Sequence, residues 1–254
     1  MDINGSRVGL LKTTTVNFPG HLATAVFLPG CNLRCCYCYN GELACADGFG
    51  VSLHNTANEY VTLDAVFRHL EKRRNIIKAL AISGGEPLLS PLLPALLEKA
   101  KNLQYTIKLD TNGLFPKRLA PLVNGAAHPL SMVAVDIKTA PNRYGELFPP
   151  EAANSVLSRN AGNVLRETVR LLERAQSNGI RVEYRTVLVP GLVGKAEIEA
   201  IGRLLPETAD WEFARFLPGT CLNADWNAVS PYTDSETEEL LDIAKKFVQN
   251  VRIR

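Results

Sequence analysis

An alternation of short apolar runs with helical stripes constrains this chain more than any other feature. The runs are His21–Leu28, Ala79–Ile82, Tyr105–Leu109, Met132–Val135, Arg181–Val189 and Phe213–Leu217, each followed by a turn former. Apolar character without strict alternation marks strands covered on both faces, as in parallel sheets. Between the runs lie helix signals. Leu63, Val66, Phe67 and Leu70 repeat at i, i+3, i+4 and i+7 behind Thr62, a capping residue. Ser90-Pro91 opens a stripe of Leu92, Leu93, Leu96, Leu97 and Ala100, and a short helical stretch follows near 117–123. Val164–Gln176 is predicted helical with Asn178-Gly179 as its stop, and Thr233 with Glu236 makes a capping box for a last helix. Six strands alternating with helices predict an α/β fold with a parallel sheet, and 254 residues suit a single barrel. In such barrels, chemistry gathers at the C-terminal ends of the strands. Gly84-Gly85-Glu86, Asp110-Thr111, Asp136 with Lys138, Arg185 and Pro218-Gly219 all fall at or near such ends.

The first run delivers Cys31, and Cys31, Cys35 and Cys38 form a C-x₃-C-x₂-C pattern. Three thiolates so close select a soft metal centre, either zinc or an iron–sulfur cluster. Spacing alone leaves both open: a [4Fe–4S] cluster with one open iron, or zinc completed by Cys45 or His54. Cys36 points away from Cys35 and Tyr37 and is expected to pack, while Cys45 and Cys221 read as solitary thiols. Ordinary roles exist for the other polar residues too. Asp110 could form a turn with Asn112-Gly113. Asp136 and Lys138 lie on one side of a strand and could pair, and Arg185 could close a barrel salt bridge. The run Lys72-Arg73-Arg74 suits the negative end of its helix dipole.

The chain has 28 basic and 26 acidic residues, a balance that argues against nucleic acid or an anionic membrane as main partner. No apolar run reaches spanning length, and the N-terminus lacks a signal-peptide pattern. Six cysteines, four of them in one loop, point to a reducing compartment, hence a cytoplasmic protein.

Phe27 to Asn40 resembles the cluster loop of the radical S-adenosylmethionine (SAM) enzymes, in particular the activating enzymes that install glycyl radicals. Lys108 to Gly113, Val135 to Lys138 and Tyr184 to Pro190 are similar to activase segments. The group matched best is that of anaerobic ribonucleotide reductase activating proteins, with pyruvate formate-lyase activating enzyme more distant. The resemblance implies a partial (β/α)₆ barrel, with residues 1–20 as an N-terminal extension bearing a short edge strand at Val8–Leu11 and the barrel over 21–254. It implies that Cys31, Cys35 and Cys38 hold a [4Fe–4S] cluster, with SAM on the open iron and Tyr37 as the family's aromatic. Gly84, Gly85 and Glu86 correspond to the segment that binds SAM's amino group. Asp110, Thr111, the Ala134 carbonyl and Asp136 correspond to residues holding a monovalent cation, and Asn112, Lys138 and Arg185 stand near SAM. Two positions depart from the pattern: Tyr39 replaces a usual His, and Thr220 stands where a relative has another His.

What this implies is reductive cleavage of SAM to a 5′-deoxyadenosyl radical, with no general acid or base. The expected target is a glycine of a glycyl-radical enzyme such as anaerobic ribonucleotide reductase, and the expected electron donor is a flavodoxin or ferredoxin. The alternative is direct action on a small molecule, as in 7-carboxy-7-deazaguanine synthase. Residues 41–60 and 141–160, rich in turn formers and without a strong apolar stripe, are expected either to form adaptable surfaces that receive a partner's loop or to be spacers covering the sheet ends.

Overall fold

The computed structural model describes residues 3–50, 60–125 and 128–254. The chain divides into two compact units. The first comprises Met1–Asn32, Asn40–Thr111 and Gly125–Val133, and the second Leu33–Tyr39, Asn112–Asn124 and Ala134–Arg254.

The first unit contains β1 (Arg7–Thr14), β2 (Ala23–Leu28), α1 (Gly41–Cys45), β3 (Tyr60–Thr62), α2 (Leu63–Arg73), β4 (Ala79–Gly84), α3 (Leu93–Asn102) and β5 (Thr106–Thr111). Its strand order is β3-β1-β2-β4-β5. β2 pairs parallel with β4, placing Ala25 opposite Ala81, and β4 pairs parallel with β5. Small residues on neighbouring strands leave room for larger ones: Ala23, Ala25, Ala79 and Ala81 form a buried cluster with Phe18 and Met132. The expected edge strand at Val8–Leu11 is longer and is not an edge, since β1 pairs antiparallel with β2 on one side and β3 on the other. Three residues of β3 carry too little pattern to be seen beforehand. α2 starts where its cap predicts, with Thr62 Oγ1 accepting from the Ala65 N–H at 3.2 Å. α3 starts at Leu93, two residues past Pro91, after a 3₁₀ turn at Pro87–Leu89 and with Ser90 Oγ accepting from Leu92 N–H at 3.3 Å. Of the expected loop 41–60, residues 41–45 are helical; residues 51–59, including His54, lie outside the described residues.

The second unit contains α4 (Pro116–Val123), the last three residues of β6 (Met132–Asp136), α5 (Val156–Gln176), β7 (Arg181–Leu188), α6 (Lys195–Gly202), β8 (Asp210–Arg215), α7 (Asp234–Ala244) and β9 (Asn250–Ile253). The order is β6-β7-β8-β9, with β7–β8 and β8–β9 parallel. α5 begins at Val156, not Val164. Ser155 caps it by accepting from the Ser158 N–H at 3.1 Å, while Asn160, Gly162 and Asn163 hide its periodicity in the sequence. Gly162 is needed there, since a Cβ would press on the Pro141 carbonyl. The expected adaptable segment 141–160 is therefore ordered: Pro141–Leu147 is a 3₁₀ helix, and Tyr144, Leu147 and Phe148 are buried. α6, with Ile198 and Ile201 as its buried anchors, was not expected; nor was β9. β9 carries Arg252, whose guanidinium meets Glu183 at 2.6 Å and Glu212 at 2.8 Å. β8 lies nearer the N-terminus than the run Phe213–Leu217 suggests, and leaves Leu217 65% exposed.

Candidate cofactor site

In the first unit, β2 and β4 end side by side. Gly85 N–H donates to the Leu28 carbonyl at 2.9 Å and Glu86 N–H to the Gly30 carbonyl at 2.8 Å, which ties the start of the cysteine loop to the double glycine. Gly84 adopts φ +133°, and a Cβ on it would overlap Leu28 backbone; a Cβ on Gly85 would overlap the Gly30 carbonyl. Only glycine fits either position. Glu86 is fully buried, and its carboxylate accepts from Leu88 N–H at 3.0 Å and from Thr111 Oγ1 at 2.9 Å. Asp110 is also buried and meets Lys108 Nζ at 2.6 Å. Lys108, 1% exposed, donates in addition to the Asn17 carbonyl at 3.0 Å. Lys108 was missed as a site residue, although its i, i+2 spacing from Asp110 on a strand was a usable signal.

In the second unit, Asp136 at the end of β6 is the centre of a charged group. Arg185 Nε on β7 donates to its Oδ1 at 2.8 Å, and Lys138 Nζ reaches its Oδ2 at 3.3 Å. Burial alone would raise the Asp136 pKa, but Arg185 and then Lys138 overcome it and hold the carboxyl well below the usual carboxylate range. Lys138 is perturbed oppositely: burial works to lower it, and Asp136 and then Tyr37 keep it well above the usual ammonium value. Both ordinary pairings expected from the sequence are thus present. Tyr144 locks the turn after β6, accepting from Lys138 N–H at 2.9 Å. Burial pushes the Tyr37 phenol well up against the opposing pull of Lys138. Its hydroxyl is buried with no hydrogen-bond partner among the described residues. Asn112 shapes the turn after β5, its Oδ1 accepting from Leu114 N–H at 3.1 Å.

The cysteine loop has a second attachment within this unit. Cys38 N–H donates to the Cys35 carbonyl at 3.0 Å, closing a turn. Leu222 N–H donates to the Cys38 carbonyl and Asn223 N–H to the Cys36 carbonyl, both at 3.0 Å. Tyr39 Oη accepts from Leu217 N–H at 2.7 Å. Burial raises the Cys36 thiol, and nearby Cys221 adds to the shift. None of these attachments was foreseen.

None of the six cysteines is in a disulfide, and Cys45 is exposed. Among the described residues, no three His, Cys, Asp or Glu side chains stand close enough together to hold a metal ion as they are. The chemistry of the donors still fits an iron–sulfur cluster, since reduced thiols on a tight turn are its ligands. The partnerless buried Tyr37 hydroxyl beside the charged Asp136 group fits a polar ligand. No helix among the described residues is long and apolar enough to cross a membrane.

Residues 25–205 match the radical SAM superfamily, and the chain belongs to it. Membership implies a [4Fe–4S] cluster and SAM. A protein of Methanocaldococcus jannaschii, provisionally named a glycyl-radical enzyme activating enzyme, is 26% identical over 97% of this chain and 94% of its own. The 7-carboxy-7-deazaguanine synthase of Methanopyrus kandleri is 30% identical over 48% of this chain and 51% of its own. Among solved structures, Streptococcus suis SuiB bound to the precursor peptide SuiA aligns with a TM-score of 0.57 at 14% identity, over 90% of this chain and 47% of SuiB. This chain therefore spans about half the length of SuiB. With the family match, that likeness bears out the expected fold class, the mostly parallel α/β fold of the superfamily.

Proposed function

We propose that this protein is a radical SAM enzyme of the activating type, which installs a glycyl radical on a partner enzyme such as anaerobic ribonucleotide reductase. The observation that carries the reading is the end-to-end similarity to the Methanocaldococcus jannaschii relative, which covers nearly all of both chains. The similarity to 7-carboxy-7-deazaguanine synthase stops at about half of each chain, so direct action on a small molecule is the weaker reading.

In this proposal Cys31, Cys35 and Cys38 hold the cluster. When bound, cluster and SAM supply a one-electron reductive cleavage that gives methionine and a hydrogen-abstracting 5′-deoxyadenosyl group. The chain's part is to bind and orient. The Gly84-Gly85 backbone admits a ligand where a Cβ could not stand, and the Asp136, Lys138 and Arg185 group offers both charges to a zwitterionic amino acid. Tyr37 offers that ligand a buried hydroxyl. Glu86 and Thr111 act through each other, holding the turn after β4 in shape. A monovalent cation at Asp110 or Asp136 belongs to the same proposal. It would be a further partner to carboxylates that Lys108, or Arg185 with Lys138, already meet. A flavodoxin or ferredoxin is the proposed electron source, and the cytoplasm the proposed site of action.

The test is anaerobic incubation of the reduced protein with SAM and a glycyl-radical enzyme carrying deuterated glycine. A glycine-centred doublet in electron paramagnetic resonance, with deuterium recovered in 5′-deoxyadenosine, is the expected outcome. Fast multiple-turnover SAM cleavage driven by a small metabolite alone, with no protein radical, sinks the reading.

A further inference from the structure

The segment from Leu217 to Asn227 is built to grip the cysteine loop. Asn227 shapes it from one end, its Oδ1 accepting from both Gly219 N–H at 3.0 Å and Cys221 N–H at 2.9 Å. Gly219, at φ +132°, permits the bend. So shaped, the segment presents three N–H groups to one short turn. Asn223 and Leu222 donate to the carbonyls of Cys36 and Cys38, and Leu217 donates to the phenol of Tyr39. Two of these contacts are backbone to backbone and would survive most substitutions. The third depends on one side chain. Tyr39 is 44% exposed, so core packing does not account for its position. Its hydroxyl nonetheless makes the shortest of the three bonds.

We propose that Tyr39 is a positioning residue, which through Leu217 fastens the Leu217–Asn227 strap to the Cys35–Cys38 turn and so holds two cluster thiols in their geometry. Groups that orient metal ligands from outside govern how long the metal stays bound. Backbone carbonyls that are already hydrogen-bonded also cannot swing the turn to new positions without losing those partners. This assignment rests on the reading of Cys31, Cys35 and Cys38 as cluster ligands.

The test uses the full chain, reconstituted anaerobically with iron and sulfide, and two readouts: amide hydrogen exchange over residues 217–223 and the rate of iron release to a chelator. Tyr39→Phe keeps the ring and removes the acceptor. It should speed exchange at Leu217 roughly tenfold and iron release by about the same factor. Asn227→Ala loosens the strap from its other end without touching the loop, and should move both readouts in the same direction. Tyr39→His restores a ring-nitrogen acceptor and should recover part of each. Faster exchange with unchanged iron release in both Tyr39→Phe and Asn227→Ala would overturn the proposal, as would unchanged exchange in Tyr39→Phe. A wild-type chain that takes up no iron overturns the ligand assignment itself, an outcome distinct from a cluster that ignores the strap.

Discussion

In the first unit the residues expected to meet SAM are fixed by burial: Gly84 and Gly85 lie against Leu28 and Gly30, and the buried Glu86 and Asp110 are engaged by Thr111 and Lys108. In the second unit the corresponding residues are set by charge. Asp136, Arg185 and Lys138 hold one another, and about a third of the Asp136 side chain is exposed. A backbone cradle tolerates no change of shape, whereas a charged group tolerates changes of shape but not of sign. Failures in the two regions should therefore look different, one in folding and the other in ligand binding.

The largest effect comes from the thiols both regions are proposed to serve. Cys31→Ala, Cys35→Ala or Cys38→Ala should each abolish the brown chromophore and SAM cleavage, with Cys36→Ala, Cys45→Ala and Cys221→Ala retaining both. Absorption spectra of anaerobically purified variants decide this, and loss of colour in Cys36→Ala alone would reassign the ligand set. Next come the backbone cradle and its buried ion pair. Gly84→Ala should destabilise the protein by about 1–3 kcal/mol through overpacking. Lys108→Ala, which leaves Asp110 buried without its lysine, should cost on the order of 3–5 kcal/mol. Chemical denaturation measures both, and a Lys108→Ala protein as stable as wild type would refute the contrast between units.

Asp136→Ala should behave otherwise. Solvent at the one-third-exposed carboxylate softens the loss, so the protein should fold and keep its cluster while binding SAM more weakly. Calorimetric titration with SAM is the check, and unchanged affinity would remove Asp136 from the cofactor site. The smallest effect is a pH dependence. Against the opposing effect of burial, Arg185 and Lys138 hold Asp136 below its unfolded pKa of about 3.9. The sign follows: its contribution is complete above that value and fades as pH falls below it. The stability gap between wild type and Asp136→Asn should be constant above pH ~5 and narrow below pH ~4. A gap that widens in acid would show that Asp136 is not depressed.

What the sequence made legible follows the same division. Features encoded locally were visible: the apolar runs of β2, β4, β5 and β7, the Thr62 and Thr233 caps, the double glycine, and the i, i+2 pairing of Asp136 with Lys138. Features assembled from distant positions were not. Lys108 finds the Asn17 carbonyl 91 positions away, and Tyr39 finds Leu217 across 178. β3 and β9 owe their conformation to a neighbouring strand more than to their three or four residues. α5 shows a third limit, since Asn160 and Gly162 disfavour the helix that the Ser155 cap and tertiary packing impose.

β9 also bears on how such a protein survives at high concentration. As the outermost strand of its unit among the described residues, it is an edge, the kind of template on which chains aggregate. Its residues answer that hazard with charge: Arg252 is pinned between Glu183 and Glu212, and Arg254 reaches Glu212 at 3.5 Å. A second molecule approaching this edge would have to strip water from both guanidiniums before any strand could form. Loss of these charges would be expected to show first as turbidity during concentration.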